Sequence, residues 1–123
     1  FVDSHSNRPV VLEQFHFSVF DLDGSASDGW RPSFEKLYVS EFDEYSVAEH
    51  SEVEVEQLTD GRTVFVATQV GFGCDNPIDP MSLGRVTCPW PPGHIVDQTK
   101  RAVTFLFSKT SSFNATFVAE TGG

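Results

Sequence analysis

The sequence has almost no helical patterning, few basic residues and no long apolar run. No segment keeps apolar residues at the i, i+3, i+4, i+7 spacing over three turns, so helices are not expected. Eight Lys and Arg stand against eighteen Asp and Glu, which gives a formal charge of −10. Phosphate binding needs a basic face, so we expect no nucleic-acid partner. No apolar stretch approaches the ~20 residues of a membrane helix, so we expect no membrane insertion.

The length and composition fit one folded domain. A chain of 123 residues should bury roughly two thirds of its unfolded surface. An apolar share of 39% with twelve Phe argues against disorder. We therefore expect residues 1–123 to form a single domain. Because the chain begins at Phe1 and not at Met, we expect a processed protein, or a fragment or module of a larger secreted protein.

Apolar and polar residues alternate through most of the chain, which predicts β-strands. The segment from Glu52 to Glu56 alternates without a break, so its valines should face the core and its glutamates should face water. We expect strands near residues 9–20, 35–42, 44–49, 51–58, 62–70, 85–88, 101–108 and 112–119. About eight short strands with frequent turns predict an all-β antiparallel β-sandwich, jelly-roll-like.

Turn residues separate these strands. Asp60-Gly61 stands between two alternating runs and predicts a hairpin. The polar segment 109–112 is expected to form a second hairpin that joins the last two strands. Residues 71–93 hold five of the seven prolines and should form a long loop.

Two cysteines lie at the two sides of this loop. In an oxidising compartment Cys74 and Cys88 would form a disulfide that closes a ring of about 15 residues, worth roughly 3 kcal/mol. The alternative is a pair of reduced, buried cysteines in a cytosolic protein. The sequence Asn114-Ala115-Thr116 is an N-glycosylation sequon, and alternation places Asn114 on an outer face. Both features favour a secreted, extracellular or lumenal protein.

Two acidic loops are candidates for a metal site. If Asp21 and Asp23 lie on a strand, both carboxylates point to the same face, and Asp28 follows within the same loop. The second loop carries Asp75 and Asp79. If the two loops meet at one edge of the sandwich, their hard oxygen atoms suit Ca²⁺ as a cofactor. The alternative is that both loops are solvated turns held by local Asx hydrogen bonds.

Two loop tryptophans are candidates for ligand binding. Trp30 follows Asp28-Gly29, and Trp90 lies between prolines. An exposed pair of indoles would stack on a sugar, so a carbohydrate-binding module that recognises glycans is the alternative function. A tryptophan that caps the end of the core is the competing interpretation.

The string from Val19 to Ser25 resembles the first motif of the haloacid-dehalogenase-like phosphatases. That resemblance implies Asp21 as the nucleophile and Asp23 as the acid/base. The family needs a parallel α/β sheet with crossover helices, which this sequence does not offer. A phosphatase-like hydrolase is therefore the third function considered.

A wider set of short motifs spans most of residues 13–118. The motifs are Phe20-Asp-Leu-Asp-Gly24, Glu35-x-Leu-x-Val-x-x-Phe42, Asp60-Gly61, Phe65-x-Ala-Thr-x-x-Gly-x-Gly73, Asp75-Asn-Pro-x-Asp-Pro80 and Arg101-Ala-Val-x-Phe-x-Phe107. The set resembles uncharacterised β-sandwich modules of large secreted or surface proteins from marine algae and bacteria. The resemblance implies a structural or adhesive part, and it leads us to expect one more strand after Gly123.

The first expectation for function is a non-catalytic structural or cell-adhesion module, and not an enzyme. Its partners would be other protein subunits or domains of an extracellular assembly, with glycans as further partners. No serine lies in a Gly-x-Ser-x-Gly turn, and neither cysteine has a plausible histidine partner in the sequence. The expected mechanism is packing through sheet edges or faces, with Ca²⁺ rigidifying the acidic loops.

Overall fold

The fold is described by a computed structural model that covers residues 1–26, 31–89 and 92–121. It contains ten strands and one short 3₁₀-helix at Gln98–Arg101, and these ranges contain no α-helix. The strands are β1 (Leu12–Val19), β2 (Gly24–Ser25), β3 (Ser33–Val39), β4 (Glu44–Ser46), β5 (Val53–Gln57), β6 (Thr63–Ala67), β7 (Arg85–Cys88), β8 (His94–Asp97), β9 (Val103–Thr110) and β10 (Ala115–Thr121).

Two antiparallel sheets pack against each other, and a hairpin lies beside them. One sheet has the order β1-β9-β4, and the other has the order β10-β3-β6-β5 with β2 paired to β3. Strands β7 and β8 form the hairpin. All pairs between these strands are antiparallel, so the prediction of an all-β sandwich is confirmed. The parallel α/β sheet of the phosphatase resemblance is not the architecture of this chain.

The core combines the buried phenylalanines of β6 and β9 with aliphatic residues, and the partly buried phenylalanines of β1 pack against it. Phe105 and Phe65 meet edge to face at 5.0 Å between ring centroids, and Phe107 stacks on Phe15 at 5.1 Å. Phe65, Phe105 and Leu37 have no exposed surface. Edge-to-face and stacked rings add to the free energy gained by burial. The contact between Phe65 and Phe105 therefore joins the two sheets at the centre of an otherwise largely aliphatic core.

The two predicted hairpins have different outcomes. The Asp60-Gly61 hairpin is confirmed: β5 pairs with β6, and Gly61 has a φ of +89°, which glycine adopts easily. The hairpin at 109–112 is wrong, because β9 pairs with β1 and β4 whereas β10 pairs with β3 in the other sheet. Alternation identifies a strand and its buried face, but it does not identify the neighbouring strand.

Strands β2 and β8 were not predicted. β2 has two residues, and β8 has four residues that follow the proline-rich loop. Such short segments contain too few alternations to stand out from a loop. The expected count of about eight strands is therefore corrected to ten.

Replacing Phe105 by Ala should lower the free energy of unfolding by about 3–5 kcal/mol, because the substitution leaves a cavity between the sheets. The matched control is Ile95→Ala on β8, where the side chain is 61% exposed and the change should stay within about 0.5 kcal/mol. Chemical denaturation followed by tryptophan fluorescence measures both. Equal losses in the two variants would contradict the assignment of Phe105 to the core.

Candidate functional site

The first acidic loop begins where β1 ends. Asp21 has a left-handed backbone, with φ +62°, and neither Asp21 nor Asp23 lies in a strand. Between them, Leu22 is buried in the core, and its N–H donates a hydrogen bond to the Arg101 carbonyl at 2.9 Å. The two carboxylates do come together, but they do so in the irregular segment after β1 and not through strand alternation.

The second acidic loop brings Asp75 to the same place. One carboxylate oxygen from each of Asp21, Asp23 and Asp75 lies within 4.8 Å of the others. Asp75 follows Cys74 directly, and the Cys74–Cys88 disulfide ties this loop to β7, with 5.7 Å between the two Cα atoms. The predicted disulfide and the predicted meeting of two loops are both present.

A buried arginine lies at the centre of this cluster. Arg101 is 4% exposed. Its Nη1 donates to Asp75 Oδ2 at 2.8 Å, and its Nε donates to Glu52 Oε2 at 2.8 Å. The same Nη1 lies 3.8 Å from Asp23 Oδ2. A buried charge is stable only when it is paired and hydrogen-bonded, so Arg101 fixes the carboxylates that surround it.

Asp75 is held more tightly than Asp21 and Asp23. Its side chain is 1% exposed, and the Phe72 N–H donates to its two oxygen atoms at 3.3 and 3.4 Å. The buried Gln98 side chain donates from Nε2 to the Asp75 carbonyl at 3.0 Å. The backbone and the side chain of Asp75 are therefore both anchored, which gives the cluster a rigid base.

The Asp23 carboxylate packs on the backbone of Gly71. A Cβ placed on Gly71 would come within 1.7 Å of Asp23 Oδ2. The Gly71 N–H donates to the Gly24 carbonyl at 2.7 Å, and the Gly24 N–H donates to Gln69 at 2.8 Å. This short ladder holds the two chain segments together. Glycine is required at position 71 because the carboxylate fills the space that a side chain would take.

Negative charge exceeds positive charge within the cluster. Arg101 is paired with Asp23, Glu52 and Asp75, and the Asp21 carboxylate lies beside those of Asp23 and Asp75. Burial, followed by the charges of Asp21 and Asp75, raises the pKa of Asp23 to about 7. Burial and the charge of Asp75 also raise the pKa of Asp21. Burial is the main cause of both raised pKa values and the neighbouring carboxylates add to it, so the protonated forms of Asp21 and Asp23 are favoured relative to a solvated aspartate.

The cluster opens to solvent beside Asp21. A groove of about 420 Å³ is lined by Phe20, Asp21, Asn76, Pro77 and Pro80. Asn76 is exposed and adds an amide oxygen to the wall of the groove. An ion therefore has a path to Asp21, whereas Asp75 lies at the closed end of the cluster.

The other predicted site residues are placed elsewhere or are not described. Asp79 is exposed and makes local hydrogen bonds, to the Met81 N–H at 2.9 Å and to the Ser82 hydroxyl at 2.9 Å, as the alternative of a solvated Asx turn predicts. It lines a separate cavity of about 740 Å³ and is not part of the carboxylate cluster. Asp28, Trp30 and Trp90 lie outside the described residues.

Arg101 and Glu52 were missed as members of the site. Glu52 was expected on a fully solvated face, but it precedes β5 and its carboxylate accepts from Arg101. A signal for Arg101 was present, because it is in phase with Val103, Phe105 and Phe107. The alternation places the Arg101 side chain on the same inward-facing side of the chain as Val103, Phe105 and Phe107. A buried arginine in that position needs a carboxylate partner.

Comparison with known proteins gives no match, either to a family, to a curated protein or to a solved structure. Among the described residues, no helix has the length and apolar character needed to cross a bilayer. Asn114 is exposed just before β10, which leaves the sequon accessible. The function must therefore be argued from the geometry of this chain.

Asp23 should make the folded state less stable as the pH rises toward neutrality. The ordinary pKa of an aspartate is 3.8, and Asp23 has a folded-state pKa of about 7. Between these values the unfolded chain has released the proton that the folded chain retains, so stability falls as the pH rises. The Asp23→Asn variant should lack this fall and should be more stable than the wild type at pH 8 in EDTA. Melting temperatures measured at several pH values for both proteins test this. If the melting temperature depends on pH in the same way in both, the raised pKa does not belong to Asp23.

Proposed function

We propose that this chain is a non-catalytic structural or adhesion module of an extracellular or lumenal assembly, stabilised by Ca²⁺ at Asp21, Asp23 and Asp75. The observation that carries the proposal is the excess of carboxylates around one buried guanidinium at a point where separate chain segments meet. A cation bound there would cross-link the end of β1 to the disulfide-bonded loop. Loops that are joined in this way resist local unfolding.

The donor atoms favour a hard cation. Carboxylate, amide and carbonyl oxygens suit Ca²⁺, which accepts six to eight of them in irregular geometry. Asp21 and Asp23 are partly exposed, and the neighbouring groove supplies Asn76 and room for water ligands. Asp75 is committed to Arg101 through one oxygen, so Asp21 and Asp23 would provide the main ligands.

The non-catalytic part of the proposal is supported by the surroundings of the cluster. Asp75 and Arg101 are locked in mutual hydrogen bonds that span chain segments, as in a structural link. Side chains that are paired and buried in this way stabilise the fold.

The extracellular part is supported by the disulfide and the exposed sequon. The Cys74–Cys88 bond ties the loop that follows β6 to the end of strand β7. Disulfides persist in secreted and lumenal proteins and are rare in reducing compartments. Asn114 is accessible for a glycan.

Calcium should raise the melting temperature of the wild-type protein by roughly 5–15 °C at a hundredfold excess over Kd, because it binds only the folded state. Asp21→Asn should weaken the apparent affinity by roughly tenfold or more, since it removes a charged ligand. The matched control is Asp79→Asn, which makes the same chemical change in the second loop and should leave the Ca²⁺ response unchanged. Differential scanning calorimetry in EDTA and in increasing Ca²⁺ measures all three. A wild-type melting temperature that does not depend on Ca²⁺ would eliminate the metal site.

Gly71→Ala should abolish the Ca²⁺ response without changing any charged residue. The new methyl group occupies the position of the Asp23 carboxylate, which must move out of the cluster. The control is Gly84→Ala, because a Cβ at Gly84 meets no atom within 4 Å. Isothermal titration with Ca²⁺ compares the two variants. If Gly71→Ala binds Ca²⁺ as tightly as the wild type, Asp23 is not a ligand.

A further inference from the structure

Gln98 joins the two ends of the segment that lies inside the disulfide ring. It begins the 3₁₀-helix and is 8% exposed. Its Nε2 donates a hydrogen bond to the Asp75 carbonyl at 3.0 Å, and its Oε1 accepts one from the Gly84 N–H at 3.2 Å. The Gln98 N–H also donates to the Gly84 carbonyl at 2.9 Å. A single buried residue therefore closes residues 75–84 into a loop without a covalent bond.

These hydrogen bonds fix Cys74 relative to the hairpin that carries Cys88. Strand β7 ends at Cys88 and pairs with β8 in an antiparallel hairpin. The hydrogen bonds between Gln98 and Gly84 continue the register of that pair by one residue. Asp75 directly follows Cys74, and Gln98 holds its carbonyl. The hairpin therefore holds both cysteines, Cys88 through its own strand and Cys74 through Gln98.

The segment between the two ends of this loop is also restricted. Asp79 accepts from the Met81 N–H and from the Ser82 hydroxyl, each at 2.9 Å, and its carbonyl accepts from the Ser82 N–H at 3.0 Å. Pro77 and Pro80 limit the backbone further. A segment with few accessible conformations loses little entropy when its ends are brought together. Closing this loop is therefore easier than closing a flexible loop of the same length.

We propose that Gln98 is a positioning residue for the disulfide, because it holds Cys74 beside Cys88 while both are still thiols. The hydrogen bonds and the S–S bond then require the same closed arrangement, so each makes the other more favourable. Arg101 adds to this closure through its hydrogen bond to Asp75 at 2.8 Å. Reduction of the disulfide therefore leaves Asp75 in place in the wild-type protein. This inference goes beyond the proposed calcium site and needs no metal.

The two sulfur atoms differ in their access to solvent. Cys74 is half-buried and lines the cavity of about 740 Å³, whereas Cys88 is 1% exposed. The Cys74 thiolate attacks the disulfide of oxidised glutathione, which forms a mixed disulfide and releases one glutathione thiolate. The Cys88 thiolate then attacks the Cys74 sulfur, which forms the protein disulfide and releases the second glutathione thiolate. The cysteine pair loses two protons and two electrons, and the two glutathione molecules take them up. Only the second step needs the two cysteines side by side, and Gln98 favours that step.

The redox equilibrium with glutathione tests the proposal. Wild type and Gln98→Met, which keeps the length of the side chain without its polar atoms, are equilibrated with mixtures of reduced and oxidised glutathione. Free thiols are trapped by alkylation and counted by mass spectrometry. We expect the equilibrium constant for forming the protein disulfide to be roughly tenfold lower in Gln98→Met, as for other directly coupled groups. If that variant does not fold, Gln98→Glu makes the same test, because it keeps the acceptor for Gly84 and loses the amide donor to Asp75.

The matched control is Thr99→Val in the same 3₁₀-helix. It removes the hydroxyl that donates to Asp97 at 2.6 Å, a hydrogen bond that does not involve the loop. The glutathione equilibrium of this variant should stay within about twofold of the wild type, even if the melting temperature falls. Equal equilibria in wild type and Gln98→Met would overturn the proposal, and so would an equal shift in Thr99→Val.

Hydrogen exchange supplies a second readout. The Phe72 N–H donates to the Asp75 carboxylate, so its protection reports the position of Asp75. The reduced wild type should keep this protection, whereas reduced Gln98→Met should lose it while the core strands stay protected. Loss of Phe72 protection in the reduced wild type, with or without unfolding of the whole chain, would show that the loop needs the covalent bond. Retained protection in reduced Gln98→Met would show that Arg101 alone suffices. Either result would overturn the proposal.

Discussion

The end of this sandwich is organised by one buried guanidinium. Arg101 closes the 3₁₀-helix just before β9, and its side chain reaches carboxylates from segments that are far apart in sequence. Its own carbonyl accepts from the Leu22 N–H, so the backbone and the side chain both fix neighbouring segments. A charge buried to this extent cannot be left unpaired, and its partners must therefore adopt defined positions. The need to pair Arg101 therefore holds the two acidic loops in a single arrangement.

The same constraint explains why the cluster carries unsatisfied negative charge. Asp75 and Glu52 each accept a hydrogen bond from Arg101, whereas Asp23 lies farther away and rests against Gly71. Asp21 lies beside Asp23 and faces the groove. The two carboxylates that are least neutralised are thus the two that solvent ions can reach. This separation between anchored and available carboxylates gives the proposed calcium site its physical basis.

The interior and the edges of the two sheets are built from different residues. Phe65 and Phe105 meet across the sheets within a core that also contains Leu37 and Val103. At the edges, exposed acids lie on β4 and β5. The core holds the sheets together, and the acidic edges keep the surface solvated.

The sequence by itself determined eight of the ten strands, most of their buried faces and the two cysteines able to pair. Alternation at Phe105 and Phe107, the turn at Asp60-Gly61 and the two cysteines are local signals, and a local pattern suffices to interpret them. It also identified Asp21, Asp23 and Asp75 as candidates, although it assigned Asp79 to the same group. Which carboxylates meet depends on how the loops pack, and only the tertiary structure decided that.

The partner of each strand was likewise decided by the tertiary structure. Residues 109–112 have the polarity of a hairpin turn, yet β9 and β10 belong to different sheets. The role of Arg101 depends on Glu52 and Asp75, which lie 49 and 26 residues away along the chain. Contacts between residues so far apart in sequence depend on how all the strands pair and on which charged side chains become buried together. No short window of sequence contains that information, so only the folded chain resolves it.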